Sequence, residues 1–200
     1  MATVYLIRHG WSEGNELRHF CGWTDVELSD MGRQQVKALG LKKPDPVPEI
    51  LYSSDLRRAL DTARILAECW GSELRIEKGF REIRFGAFEN RTWDNIQEKY
   101  PSQAESWSAG GIEARPPGGG ESVLDLAERV LPVFKTCQEE AGDKTWGIVA
   151  HGGVIQTLLA AEIAMNPEAY WHFGIKHGSL TRLEYTDAGF AVLKLLSFSG

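Results

Sequence analysis

Two short apolar runs, set far apart in this 200-residue chain, both end in His-Gly. Val4–Ile7 leads into Arg8-His9-Gly10, and Trp146–Ala150 leads into His151-Gly152-Gly153. Runs this short and this apolar read as strands buried on both faces, which calls for a mostly parallel sheet covered by helices on either side. In such sheets ligands collect outside the carboxyl ends of the strands. Two strand-end histidines can then converge on one pocket, and the glycine after each lets a ligand come close to the backbone.

The segments between these runs fit that frame. Ile50–Tyr52, closed by Ser53-Ser54, reads as a second strand, and Leu74–Ile76 as a third. A helix is expected from about Asp30 to Leu41, with Ser29 as N-cap and Val36, Leu39 and Leu41 facing inward; Pro44, Pro46 and Pro48 bar its continuation. Asp55–Trp70 carries apolar residues near helical spacing and stops at Gly71. Another helix should span about Glu121–Ala141, with Leu124, Ala127, Val130, Leu131, Phe134 and Cys137 on one face and Pro132 kinking or interrupting it. A helix over Val154–Met165 follows the second histidine, and Leu180–Thr186 and Phe190–Leu196 read as a hairpin around Asp187-Ala188-Gly189. Residues 11–28 read as a loop. Residues 79–120 read as polar and irregular, with a short helix around Trp93–Tyr100. The expected architecture is a single α/β domain over 1–200. It has three layers, α/β/α, with a mostly parallel central sheet, an antiparallel C-terminal hairpin and a small lid at about 90–120.

Composition narrows the partners. Lys and Arg number 22 against 28 Asp and Glu, a net charge of −6. A net anion has no global attraction for nucleic acid or an acidic membrane, so an anionic ligand must be held by a local basic pocket. Cys21, Cys69 and Cys137, with no CxxC spacing, suggest reduced thiols rather than a disulfide framework or a zinc site. The N-terminal stretch lacks a basic leader and a cleavage site, and no segment is apolar for long enough to span a membrane. A cytoplasmic protein without metal or other cofactor is the expectation.

Arg8 adjoins the first histidine, and Arg57 and Arg58 open the helix after the second strand, where the helix dipole favours an anion. Guanidinium forks bind phosphate oxygens in pairs and keep their charge. Spacing alone leaves open which of Arg57 and Arg58 faces the pocket. Glu82 and Glu89, flanked by aromatic and aliphatic residues, are the candidates for a proton donor.

Taken in order, these pieces resemble the histidine phosphatase superfamily, the phosphoglycerate-mutase-like proteins. The resemblance rests on Arg8-His9-Gly10-Trp11-Ser12-Glu13-Gly14-Asn15, Cys21-Gly22-Trp23-Thr24-Asp25 and Ser53-Ser54-Asp55-Leu56-Arg57-Arg58-Ala59. Arg81-Glu82, Gly120-Glu121-Ser122 and Ala150-His151-Gly152-Gly153 complete it. It implies that His9 is a nucleophile that becomes a phosphohistidine, and that Glu82 protonates the leaving oxygen and then activates water. It further implies that Arg8, Arg58 and His151 cradle the phosphoryl oxygens, that Asn15 lies at the pocket rim, and that Cys21, Gly22 and Gly152 contact substrate. Arg58, directly before Ala59, takes the position that spacing left open.

The implied activity is a metal-independent phosphomonoesterase acting on a small phosphate monoester. The alternative is a cofactor-dependent phosphoglycerate mutase, and a non-catalytic module of the same fold is a third reading. Residues 90–120 offer only Arg91, Lys99 and Arg115, with no Arg-Arg pair for a second anionic group, which favours the phosphatase. The stretch Tyr170–Ser179 resembles α-ribazole-5′-phosphate phosphatases of cobalamin assembly, as well as broad-specificity members. Trp11 stands where relatives carry Glu or Gln; its expected role is loop packing, with stacking on a planar substrate group as the alternative. His172 is expected in an aromatic cluster, His177 in the turn before a strand, and His19 near the pocket mouth. The oligomeric state stays open between monomer and homodimer.

Overall fold

A computed structural model describes residues 2–199. Six strands form one sheet: β1 (Thr3–Arg8), β2 (Ile50–Ser53), β3 (Glu73–Ile76), β4 (Trp146–Ala150), β5 (Ser179–Tyr185) and β6 (Ala191–Ser199), in the spatial order β3-β2-β4-β1-β5-β6. The first four are parallel to one another, while β5 runs antiparallel to β1 and pairs with β6 as the C-terminal hairpin. The mostly parallel α/β architecture and its antiparallel hairpin are as the apolar runs imply.

The central strands carry continuous apolar runs because both of their faces are covered. Side chains alternate across a strand. Val4 and Leu6 of β1 and Ile148 and Ala150 of β4 therefore join one cluster, and Tyr5, Ile7 and Val149 join the other. Helices α2 (Asp30–Leu41) and α3 (Arg57–Trp70) close the second cluster with Val36, Leu39, Ala63, Leu66 and Trp70. On the opposite face α6 (Val123–Ala141) and α7 (Gly152–Leu159) supply Val130, Phe134, Ile155 and Leu158.

Several local expectations need correction. Leu41 is 84% exposed, because it lies two residues beyond the buried Leu39 and so points to the opposite side of α2. Helix α3 begins at Arg57, two residues later than expected, with Leu56 in extended conformation at its N-cap. Pro132 does not interrupt α6. The buried stripe of that helix includes Val123 and Leu126, while Leu124, Ala127 and Leu131 are only partly covered. The helix after His151 starts at Gly152 and passes after Leu159 into a wider turn over Ala160–Ala164.

The loop 11–28 contains a short helix, α1 (Glu13–Glu16), and residues 79–120 hold two helices, α4 (Trp93–Lys99) and α5 (Pro101–Ala109). Pro101 sits at the first turn of α5, where its missing N–H costs no hydrogen bond. This region has a core of its own, in which Phe88, Ile96 and Ala104 are buried with Phe20, Phe85, Trp93 and Trp107 against them. Among the described residues, no helix is long and apolar enough to cross a membrane.

Candidate active site

Sheet register assembles the site. In the parallel β1–β4 pair Arg8 lies opposite Ala150, so the next residue of each strand, His9 and His151, leaves the sheet beside the other. Their ring centroids are 5.1 Å apart. The β2–β4 pairing sets Ser53 opposite Val149, which brings Ser54 up to His151, with Oγ 3.0 Å from Nε2. Three strand ends thus meet at one point.

The protonation of His9 follows from its neighbour. Its Nδ1 lies 2.7 Å from the carbonyl oxygen of Gly10, an atom that can only accept. Nδ1 therefore carries the proton, which leaves the lone pair on Nε2. Burial holds the pKa of His9 well below the ordinary histidine value, and Arg58, His177 and Arg8 act in the same direction. His151, completely buried, is held low in the same way, first by burial and then by Arg58. Both rings are neutral at neutral pH.

Arg58 is buried beneath the loop that follows α1. Its Nη1 donates to the Thr24 carbonyl at 3.0 Å, and its Nη2 to the Cys21 and Gly22 carbonyls, each at 2.8 Å. Arg57 faces outward and pairs with Glu27 and Asp25. Helix geometry thereby separates two residues that spacing could not. Arg8 donates to the Ile175 carbonyl at 2.5 Å, and its Nε has no partner among the described residues. Burial lowers the pKa of both Arg8 and Arg58 from the ordinary arginine value, with Glu82 opposing.

The two glutamates also part company. Glu89 accepts from the N–H groups of Gly22, Trp23, Thr24 and Phe85 and from the Thr24 hydroxyl, so its carboxylate is consumed in holding the Cys21–Thr24 loop. Glu82 takes only the Ile83 N–H at 2.9 Å and the Gly153 N–H at 3.1 Å. Its backbone carbonyl is clamped by Trp23 Nε1 at 2.9 Å and by Arg129 at 3.1 Å. A side chain at Gly153 would collide with Oε1 of Glu82 and approach the Tyr170 hydroxyl to 2.9 Å, so close approach requires glycine there.

A cavity of about 300 Å³ unites these groups. Arg8, His9, Asn15, Cys21, Arg58 and Glu82 all line it, and Trp11, Arg18, His19, Phe20 and Phe85 contribute to its wall. The remaining expected residues lie just outside. His151 stands against the His9 ring, and Gly152 backs the Arg8 guanidinium, whose Cζ would be 3.1 Å from an added Cβ. Gly22 donates its N–H to Glu89, and its carbonyl accepts from Arg58. Asn15 Oδ1 accepts from the N–H of Ser12 at 3.0 Å and from its hydroxyl at 2.7 Å.

Sequence reasoning missed Ser54, Gly153, Arg129 and above all His177. The turn before β5 is where His177 was expected, but its ring packs 5.4 Å from that of His9 and 4.7 Å from that of Trp11. Burial, aided by Arg8 and Arg58, pushes its pKa down to about 3. Trp11 packs edge-on against this histidine while also lining the cavity. His19 lines the cavity too, as expected of a residue near its mouth, whereas His172 is exposed and belongs to no aromatic cluster. Among the described residues, no group of three or more His, Cys, Asp or Glu is arranged to hold a metal ion.

Comparison with known proteins places this arrangement. The profile of the histidine phosphatase superfamily (branch 1) matches residues 4–197. Glucosyl-3-phosphoglycerate phosphatase of Mycolicibacterium vanbaalenii is 34% identical over 171 residues, which is 81% of this chain and 74% of that protein. Phosphoglycerate mutase-like protein 4 of Arabidopsis thaliana is 34% identical over 78% of this chain and 69% of its own. Among solved structures, the α-ribazole phosphatase of Shigella flexneri superposes with a TM-score of 0.90 at 26% identity, covering 98% of this chain and 96% of that one. A mycobacterial glucosyl-3-phosphoglycerate phosphatase in complex with VO3 gives 0.87 at 30% identity, covering 98% of both. The chain belongs to branch 1 of the histidine phosphatase superfamily and is, in enzyme class, a phosphoric monoester hydrolase.

Proposed function

We propose that the protein is a metal-independent phosphomonoesterase working through a phosphohistidine on His9, with a small phosphorylated metabolite as substrate. The observation that carries this reading is the His9 ring, buried and neutral, with its proton held on Nδ1 by the Gly10 carbonyl and with Arg8, Arg58 and Glu82 around the same cavity. A neutral imidazole in fixed orientation is a nucleophile ready for in-line attack, and phosphoryl transfer asks mainly for positioning and charge neutralisation.

In the first step Nε2 of His9 bonds to phosphorus as the ester P–O bond breaks, and the proton of Glu82 passes to the leaving oxygen. In the second step water attacks phosphorus and gives a proton to Glu82; the P–N bond breaks and inorganic phosphate departs. Arg8 and Arg58 neutralise the oxygens that gain charge in both steps. His151 packs against His9 and adds a hydrogen-bonding nitrogen, Nδ1, which has no partner among the described residues. The resemblance to α-ribazole phosphatases makes α-ribazole 5′-phosphate the first metabolite to try.

The test is phosphate release in excess EDTA from α-ribazole 5′-phosphate, 3-phosphoglycerate and p-nitrophenyl phosphate, with acid-labile phosphoenzyme measured in parallel. Release and phosphoenzyme that both vanish in His9→Ala are the expected result. Conversion of 3-phosphoglycerate to its isomer in the presence of a bisphosphoglycerate, without release of phosphate, would overturn the hydrolase reading in favour of a mutase. Release that persists in His9→Ala would remove His9 from the chemistry.

A further inference from the structure

Beside the catalytic cavity lies a second chamber of about 490 Å³. The two share Phe20 and Phe85 as a common wall, so whatever occupies one abuts the other. Its remaining surface is aromatic or aliphatic where it is not small: Trp93 and Trp107 come from α4 and α5, and Tyr170 and Trp171 from the turn over Pro167–His172. None of the residues that line it is charged. The one side-chain hydroxyl from α5, Ser108, already donates its proton to the Glu105 carbonyl at 3.0 Å. The rings brace one another edge-on, with Phe20–Phe85 centroids at 5.1 Å, Phe20–Trp107 at 5.9 Å and Tyr170–Trp171 at 4.6 Å.

A second, independent observation orients the chamber relative to the chemistry. Glu82 lines the catalytic cavity and Tyr170 lines the chamber, yet both close on the same point, the place a β-carbon on Gly153 would occupy. The junction between the cavities is therefore where Glu82 lies, and a proton from Glu82 must reach the ester oxygen that joins phosphorus to the rest of the substrate. With phosphorus among Arg8, His9 and Arg58, the remainder of the molecule extends past Phe20 and Phe85 into the aromatic space.

We propose that this chamber is the leaving-group subsite, and that the substrates are phosphomonoesters of bulky, uncharged, ring-bearing alcohols. The proposal rests on the phosphatase reading above and adds to it the chemistry of the group that departs. Apolar area buried in a site of this size is worth orders of magnitude in kcat/KM, while a carboxylate or second phosphate placed there would lose its hydration with no cation to receive it.

The experiment compares ethyl, benzyl and 2-naphthylmethyl phosphate, whose alcohols differ much less in basicity than in apolar size, together with 3-phosphoglycerate. We expect kcat/KM to rise by about a hundredfold from ethyl to 2-naphthylmethyl phosphate, and 3-phosphoglycerate to rank with ethyl phosphate or below. Trp107→Ala should collapse that ratio by about tenfold or more. Trp171→Ala, at an exposed position of the chamber wall, should reduce it as well and serves if the first variant fails to fold. His9-dependent turnover of the three phosphates of neutral alcohols within about threefold of one another would overturn the subsite and leave the phosphatase intact. So would a preference for 3-phosphoglycerate, or a ratio that survives both tryptophan variants. No turnover of any ester, p-nitrophenyl phosphate included, would instead refute the underlying phosphatase reading and the subsite with it.

Discussion

His177 makes the protein's stability depend on acid in a way that a single substitution can isolate. Its pKa in the folded chain is pushed down to about 3, against roughly 6.5 for an unfolded histidine. Between those values the unfolded chain binds a proton that the folded chain refuses. Stability is therefore fully present above pH 6.5 and is lost as pH falls toward 3. From pH 7.5 to pH 5 the linkage relation gives a loss of about 2 kcal/mol from this residue alone, with a limiting slope of about 1.4 kcal/mol per pH unit. His9 and His151, also held low by burial, add to the loss in the wild type. They remain in a His177→Asn variant, so the difference between the two proteins reports His177. The assay is urea unfolding at pH 7.5, 6.5, 5.5 and 5.0, with the slope m checked for constancy. His177→Asn should lose about 2 kcal/mol less than the wild type over that range, whatever its stability at pH 7.5. Equal losses in the two proteins, or a His177 ring resonance that titrates near pH 6.5 in the folded state, would refute the reasoning.

Arg58→Ala should lower kcat/KM by about a hundredfold or more, because it removes a buried charge from the cavity, whereas Arg57→Ala, an exposed ion-pair partner, should stay within about threefold; steady-state kinetics on p-nitrophenyl phosphate checks the order, and the reverse ranking would sink it. Glu82→Gln should slow ethyl phosphate by about tenfold more than p-nitrophenyl phosphate, since only the poorer leaving group needs the proton, and equal losses would assign the acid elsewhere. Glu89→Gln sets an amide NH2 among five donors and should cost about 2–4 kcal/mol in urea unfolding, with the Cys21–Thr24 loop released; an unchanged midpoint would mean that the loop is held by other contacts.

What could be read from the sequence divides along a physical line. The central strands were legible because burial on both faces demands unbroken apolar runs, and Val4–Ile7 and Trp146–Ala150 have them. The histidines were legible because each closes such a run. Side chains at one helix start were not, since Arg57 and Arg58 differ only in the direction in which α3 presents them. Glu82 and Glu89 sit in similar local surroundings and are told apart by donors that come from the distant Cys21–Thr24 loop and from Gly153. His177 carries no local signal, for its contact with His9 arises from the antiparallel register that sets Ser179 opposite Arg8. Helix α5 has a weak apolar pattern and escaped notice because it packs against a small aromatic core rather than against the sheet.

The strand order carries a consequence for how the chain reaches its active form. Strand β4 lies between β1 and β2, yet is made almost a hundred residues after β2. While the ribosome has delivered only the residues before Trp146, β1 and β2 have no common neighbour, and both show open edges to the cell. His9 at that stage lacks His151, and the Gly153 N–H that steadies Glu82 does not yet exist. Insertion of this strand joins β1 to β2 and brings His151 and the Gly153 N–H to the site in the same event. Catalytic competence in this chain is therefore acquired late in synthesis, through long-range pairing of the kind that makes folding slow.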